Sequence, residues 1–198
     1  SSKDPRTSGL TDNQSSGNGG LMRLAPIPAA YFSLSESDPK KLISLAVEST
    51  AVTHGSHQCL AASAWMCLAL CDLISGNSLT QIATSEWHRK AMINETVGVP
   101  SPLEPVIRGE WRNYRSDQIK STGYVIHSLE AALWAVSGAV TFEDALLRAV
   151  NLGGDSDTIG AIAGQFAGAT WGFSAIPRHL LTNLQDSDLI YNYAEQLC

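Results

Sequence analysis

The pattern of apolar and polar positions along this chain is helical almost throughout. The first twenty residues carry little periodic apolar signal and are rich in Ser, Gly, Asn and Asp, so they are expected to be loop, with residues 1–14 a polar lead-in. Leu42, Leu45 and Ala46 then recur at i, i+3 and i+4. Ser37-Asp38-Pro39 stands ahead of them, where Asp or Ser can cap and proline suits a first turn. From His57 to Ile74 the chain is apolar for about five turns, which predicts a largely buried helix. A further helix is predicted from Ser78 to about Asn94, broken by Val97-Gly98-Val99-Pro100-Ser101-Pro102. Helices are also expected over Tyr124–Val136, Thr141–Asn151, Asp155–Gly172 and Ser187–Cys198. Strict alternation with β-branched enrichment is absent, and its best candidate, Tyr124-Val125-Ile126, is too short. The pattern predicts one all-α domain over residues 1–198.

Composition narrows the function. Hydrophobic residues are 44% and charged residues 16%, which excludes a disordered, collagen-like or coiled-coil chain. No uninterrupted apolar run approaches the ~20 residues that span a bilayer, so no membrane is expected. With 13 Lys and Arg against 19 Asp and Glu, and no basic run longer than Lys40-Lys41, no nucleic-acid surface is expected either. The start, Ser1 to Arg6, lacks the apolar stretch of a signal peptide. Cys59, Cys67 and Cys71 sit at helical spacing in one apolar segment and read as buried free thiols, with Cys198 apart from them. These features point to a cytoplasmic, reducing compartment. A zinc site of His54, His57 and Cys59 is the competing reading, without a paired short-spacing ligand set behind it.

The strongest chemical signal is Asn151-Leu152-Gly153-Gly154-Asp155-Ser156-Asp157-Thr158, running into a helix that carries Gly160, Ala163, Gly164, Ala167 and Gly168. Paired glycines permit a tight turn, and two carboxylates with a hydroxyl in the next turn are the oxygen ligands a hard cation selects. An acidic helix cap needs the same residues and no function at all. A calcium loop would place a glutamate at its twelfth position, which counted from Asp155 is Phe166. A nucleotide-sugar transferase would need strands. The second signal is Ser15-Ser16-Gly17-Asn18-Gly19-Gly20-Leu21-Met22-Arg23, glycines between hydroxyl and amide side chains, which suits either an anion cradle or a flexible linker. His54 and His57 fall at a helix junction, where a histidine either caps or meets a ligand. His88, His127 and His179 have no acidic or hydroxyl partner nearby in sequence and are expected to be structural.

Together these strings resemble the ADP-ribosylglycohydrolase family, all-α enzymes that remove ADP-ribose from modified proteins. The resemblance is carried by Ser16–Arg23, Thr53-His54, Gly123–Ile126 with Ala131–Trp134, and Asn151–Ala169, in the family's order. It is nearest the bacterial dinitrogenase-reductase-activating glycohydrolase-like branch, which acts on ADP-ribosyl-arginine. It implies a compact orthogonal bundle of many helices and two Mg²⁺ or Mn²⁺ ions, with Asp155, Asp157 and Thr158 as metal ligands. It further implies that Ser15, Ser16, Gly17, Asn18 and Gly19 hold the pyrophosphate, that His54 lines the adenosine side, and that Tyr124 lies near the nucleotide. The implied partner is an ADP-ribosylated protein.

One part of the family pattern is missing. The resemblance implies a Gly-Asp start, a Thr-Asp-Asp triplet and a further catalytic acid, and Thr11-Asp12-Asn13 is the closest string present. No residue here matches the catalytic acid or base, and the chain is expected to correspond to the C-terminal two-thirds of the fold. Three readings follow: a piece completed by a separate N-terminal segment, a truncated relative that binds ADP-ribose without hydrolysing it, or a structural relative like the lens crystallins.

Overall fold

A computed structural model describes residues 4, 7–84 and 87–197. Its α-helices are α1 (Pro26–Ala30), α2 (Leu34–Ser37), α3 (Pro39–Ala51), α4 (His57–Ile74), α5 (Leu79–Ile82) and α6 (Lys90–Thr96). They continue as α7 (Glu104–Ile107), α8 (Val125–Ser137), α9 (Phe142–Val150), α10 (Ser156–Trp171), α11 (Arg178–Thr182) and α12 (Ser187–Leu197). Among the described residues only two isolated bridges, Leu10 with His54 and Gly17 with Tyr124, represent β pairing. The architecture is all-α, as the periodicity predicts.

The helix starts follow from local chemistry. Asp38 accepts a hydrogen bond from the Lys41 amide ahead of Pro39, and Ser56 accepts from the Cys59 amide to open α4. Thr141 accepts from the Asp144 amide to open α9, with Glu143 and Asp144 in its first turn. Helix α4 is the axis of the core: Cys59 and the whole run Ala61–Leu73 are buried. By length and composition it could cross a membrane, yet 78% of it is buried inside the protein. Trp65 meets Trp87 edge-on at 5.9 Å and Phe166 of α10 at 6.4 Å, locking α4 to α10. Each such large side chain contributes about 1.5–3 kcal/mol on burial. Helices α8, α9 and α10 pack on one another, and α10 and α3 pack on α4. Cys59, Cys67 and Cys71 are buried free thiols; Cys198 lies outside the described residues.

Two expectations need correction. The helix predicted from Ser78 to Asn94 ends at Ile82 and resumes at Lys90; Ser85 and Glu86 lie outside the described residues. The tertiary core takes precedence there over local propensity. Trp87 is buried and donates from Nε1 to Asp72 Oδ2 at 2.8 Å, while buried Arg89 pairs with Asp72 Oδ1 at 2.9 Å. The second concerns the N-terminal loop. It is irregular, as expected, but Ser16, Asn18, Leu21 and Leu24 are buried, so residues 16–24 belong to the core rather than to a linker.

Candidate functional site

The loop and the acidic turn, more than a hundred residues apart in the chain, meet at one side chain. Asn18 Nδ2 donates to Asp155 Oδ2 at 2.5 Å and to Ser128 Oγ of α8 at 2.8 Å. The backbone around Asn18 is fixed from the same direction. Its amide donates to the Gly123 carbonyl at 3.1 Å, and the Val125 amide donates to the Ser16 carbonyl at 2.9 Å. Ser128 Oγ completes the relay by donating to the Thr122 carbonyl at 2.7 Å. The loop 16–20, the start of α8 and the start of α10 therefore form one hydrogen-bonded unit.

On the acidic side, Gly153 and Gly154 adopt φ of +70° and +61°, the left-handed region that glycine enters freely. A Cβ on Gly154 would lie against the Ser121 carbonyl oxygen, and Ser121 Oγ donates to the Gly153 carbonyl. This close approach delivers Asp155 to the N-cap position of α10, where its side chain makes no capping bond. Its carboxylate serves Asn18 through Oδ2 instead. Asp157 is exposed in the first turn and the Thr158 side chain is nearly buried. Asp155, Asp157 and Thr158 thus offer hard oxygen donors on one turn, the chemistry a divalent cation requires. They fit as part of a ligand set, since among the described residues no three His, Cys, Asp or Glu side chains converge.

On the loop side, Gly17 and Gly19 lie under the His54 ring. A Cβ on Gly19 would come 2.7 Å from His54 Cε1, and one on Gly17 3.2 Å from Nε2, so only glycine keeps the ring against the backbone. The ring is held by Thr53, whose Oγ1 lies 2.8 Å from Nδ1 and accepts from Arg23 Nη2 at 2.6 Å. Burial, and then the Arg23 charge, push the His54 pKa down, so the neutral ring is favoured. The amides of Ser16, Gly19 and Gly20 have no acceptor among the described residues; Ser16 and Gly20 are buried and Gly19 is half-buried.

The serines behave differently from the residues they flank. Ser16 Oγ is buried in a hydrogen bond with Ser56 Oγ at 2.8 Å, and Ser15 Oγ donates to Asp12 Oδ2 at 2.8 Å. Both hydroxyls shape the loop. Tyr124 precedes α8, its backbone bridged to Gly17 and its hydroxyl donating to Gln58 Oε1 at 2.5 Å. Against expectation, His127 has partners: Thr122 Oγ1 lies 2.9 Å from its Nδ1, and its ring meets Tyr124 edge-on at 4.8 Å. His179 lies 3.3 Å from Glu143 Oε1. His57 bonds the Val97 carbonyl and Cys59 Sγ the Gly17 carbonyl, so the residues of the zinc reading face three different partners. Gln58 was not singled out from sequence; its signal is the one-turn spacing from His54 at the opening of α4.

The protein is thus an all-α bundle in which a glycine-rich loop is tied to an Asp-x-Asp-Thr helix start. The chain belongs to the ADP-ribosylglycohydrolase family, whose model matches residues 1–198. It is 33% identical over 194 residues to "ADP-ribosylarginine hydrolase Tri1" of Serratia proteamaculans (strain 568), covering 96% of this chain and 48% of that protein. The protein of the same name from Pseudomonas putida (strain GB-1) is 35% identical over 196 residues, covering 96% of this chain and 47% of its own length. A chain of a solved "ADP-ribosylglycohydrolase-related protein complex" superposes with a TM-score of 0.81 at 34% identity, covering 94% of this chain and 61% of that one. The chain thus spans about half the length of the curated relatives it matches.

Proposed function

We propose that this protein hydrolyses the glycosidic bond between ADP-ribose and a modified arginine side chain, with help from two divalent metal ions, Mg²⁺ or Mn²⁺. The observation that carries the reading is the Asn18 amide, which ties the loop with its free Gly19 and Gly20 donors to Asp155 at the oxygen-rich turn. In this reading the two N–H groups receive the pyrophosphate, and the nearby Arg23 guanidinium adds positive charge to that end of the site. His54 and Tyr124 present rings beside the loop and bind the adenosine end by stacking and by excluding water. Asp155, Asp157 and Thr158 hold metal at the opposite end, which supplies charge stabilisation and an activated water when bound. The contribution of these residues is orientation: the ribose is gripped between a rigid N–H loop and a rigid acidic turn. Relatives named for ADP-ribosylarginine hydrolysis support arginine as the linkage, and the ligands beyond those on α10 come from another segment of the protein.

The test is calorimetry of ADP-ribose binding in Mg²⁺ and in EDTA, with release of ADP-ribose from an arginine-modified protein followed alongside. Metal-dependent binding and release, both lost in Asp157→Asn, are expected. Asp157 is exposed, so its substitution should leave stability within about 0.5 kcal/mol. Release that persists in EDTA, or that is indifferent to Asp157→Asn, would overturn the reading.

A further inference from the structure

Beside Tyr124, and lined by no residue of the glycine loop, lies a cavity of about 450 Å³ between α8 and residues 102–120. Its walls include Tyr114, Tyr124 and His127, with the carboxylates of Glu110 and Glu130 and the exposed Lys120 at its edge. The two carboxylates differ in their partners. Glu110 Oε1 is paired with Arg108 at 2.8 Å. Glu130 is half-buried and makes no hydrogen bond or ion pair among the described residues. Burial pushes its carboxyl pKa up; Lys120 offsets this in part and Glu110 adds to it. The Tyr114 hydroxyl is pushed up by burial and then by the charges of Glu130 and Glu110, so these carboxylates act on one wall of the cavity while Lys120 acts on His127 at another.

A half-buried carboxylate without a hydrogen-bonded partner is unfavourable, and the Lys120 charge relieves it only in part. A cation from outside would. The walls select its shape: the Tyr124 and His127 rings meet at 87°, offering flat and edge surfaces beside the carboxylate. A planar guanidinium pairs with a carboxylate and stacks on an aromatic ring at once, whereas an ammonium does only the first as well.

We propose that this cavity is a protein-side subsite that takes the guanidinium of an unmodified arginine neighbouring the ADP-ribosylated residue, with Glu130 as its counter-charge. The inference rests on the function proposed above, because Tyr124 is the wall shared by the two sites. It adds a preference for modified residues in arginine-rich surroundings.

The variant to make is Glu130→Gln, which keeps shape and removes charge. Glu130 has no hydrogen bond or close ion pair to lose, and the charge of the exposed Lys120 is screened by solvent, so the unfolding midpoint should stay close to that of the parent protein. With an ADP-ribosylated peptide bearing a free neighbouring arginine, KM should rise about tenfold at unchanged kcat, the loss of one charge-assisted hydrogen bond. The same peptide with glutamine for the neighbouring arginine should show no change. Equal losses on both peptides, or a loss in kcat, would overturn the proposal. A second arm needs no activity: titration of acetyl-Gly-Arg-Gly-amide should shift the Tyr124 and His127 ring resonances, and Glu130→Gln should abolish those shifts. If hydrolysis is absent but these shifts occur, the subsite stands and the hydrolytic reading falls. If neither ring responds, the subsite falls whatever the activity.

Discussion

The two halves of the site are held in opposite ways. The loop 16–20 is built from the inside: Ser16, Asn18 and Gly20 are buried, and its turns are bonded to α4, α8 and α10. The turn 153–158 is built from the outside, two left-handed glycines propped against Ser121 with Asp157 open to solvent. A donor loop must hold N–H groups in place without a bound anion to order them, which needs a dense hydrogen-bond frame. As the proposed metal ligands, the turn's side chains would need free lone pairs, and among the described residues the frame reaches the turn through its backbone and one oxygen of Asp155. The difference teaches that substitutions in the loop should act on stability and binding together, whereas those in the turn should separate backbone effects from ligand effects.

The sharpest break is between the two glycines of the turn. Gly154→Ala forces a Cβ onto the Ser121 carbonyl at positive φ and should cost about 3 kcal/mol or more. Gly153→Ala meets nothing within 4 Å and should cost only the left-handed penalty, about 1–2 kcal/mol. Urea unfolding of the two variants measures the gap; equal costs would mean that Ser121 does not prop the turn.

Asn18→Ala comes next. It leaves Ser128 Oγ and Asp155 Oδ2 without their shared donor, in a buried place, and should cost about 1–3 kcal/mol. ADP-ribose affinity should fall with stability, since loop and turn lose their common tie. A stability loss with affinity intact would separate the halves.

The smallest effect is in pH. His54 and His127 both have pKa values pushed below their ordinary 6.5, chiefly by burial, with Arg23 and Lys120 adding. The fold favours the neutral rings, so as pH falls the unfolded chain takes up protons first. Their contribution is whole above about 6.5 and is lost as pH falls from there towards the folded-state values. Unfolding free energies at pH 7.5 and 5.5 should show the loss, and His54→Gln should remove its share.

Much of this molecule was legible locally. Helix α4 runs from His57 to Ile74 as its apolar run predicts, α12 starts at Ser187 as expected, and α8, α9 and α10 depart from expectation by a residue at their ends. Periodicity, capping residues and paired glycines act within a few positions, so they are written in the string itself. The Gly17–Gly20 loop and the Asp155–Thr158 start were readable for the same reason, each as a separate signal with a bland alternative beside it. What local reading could not supply was their meeting. Asn18 and Asp155 are 137 positions apart, and only the packing of α10 and α8 on α4 brings them within a hydrogen bond. The end of α5 at Ile82 and the start of α6 at Lys90 are of the same kind, because Asp72 of α4 holds Trp87 and Arg89. So is the partnership of Gln58, Tyr124 and His127, which gives an ordinary-looking glutamine and histidine their place. The sequence by itself determined the helices and the chemistry each turn can offer. The tertiary structure decided which turns share a site and which carboxylate is left unpaired, because those depend on contacts between segments distant in the chain.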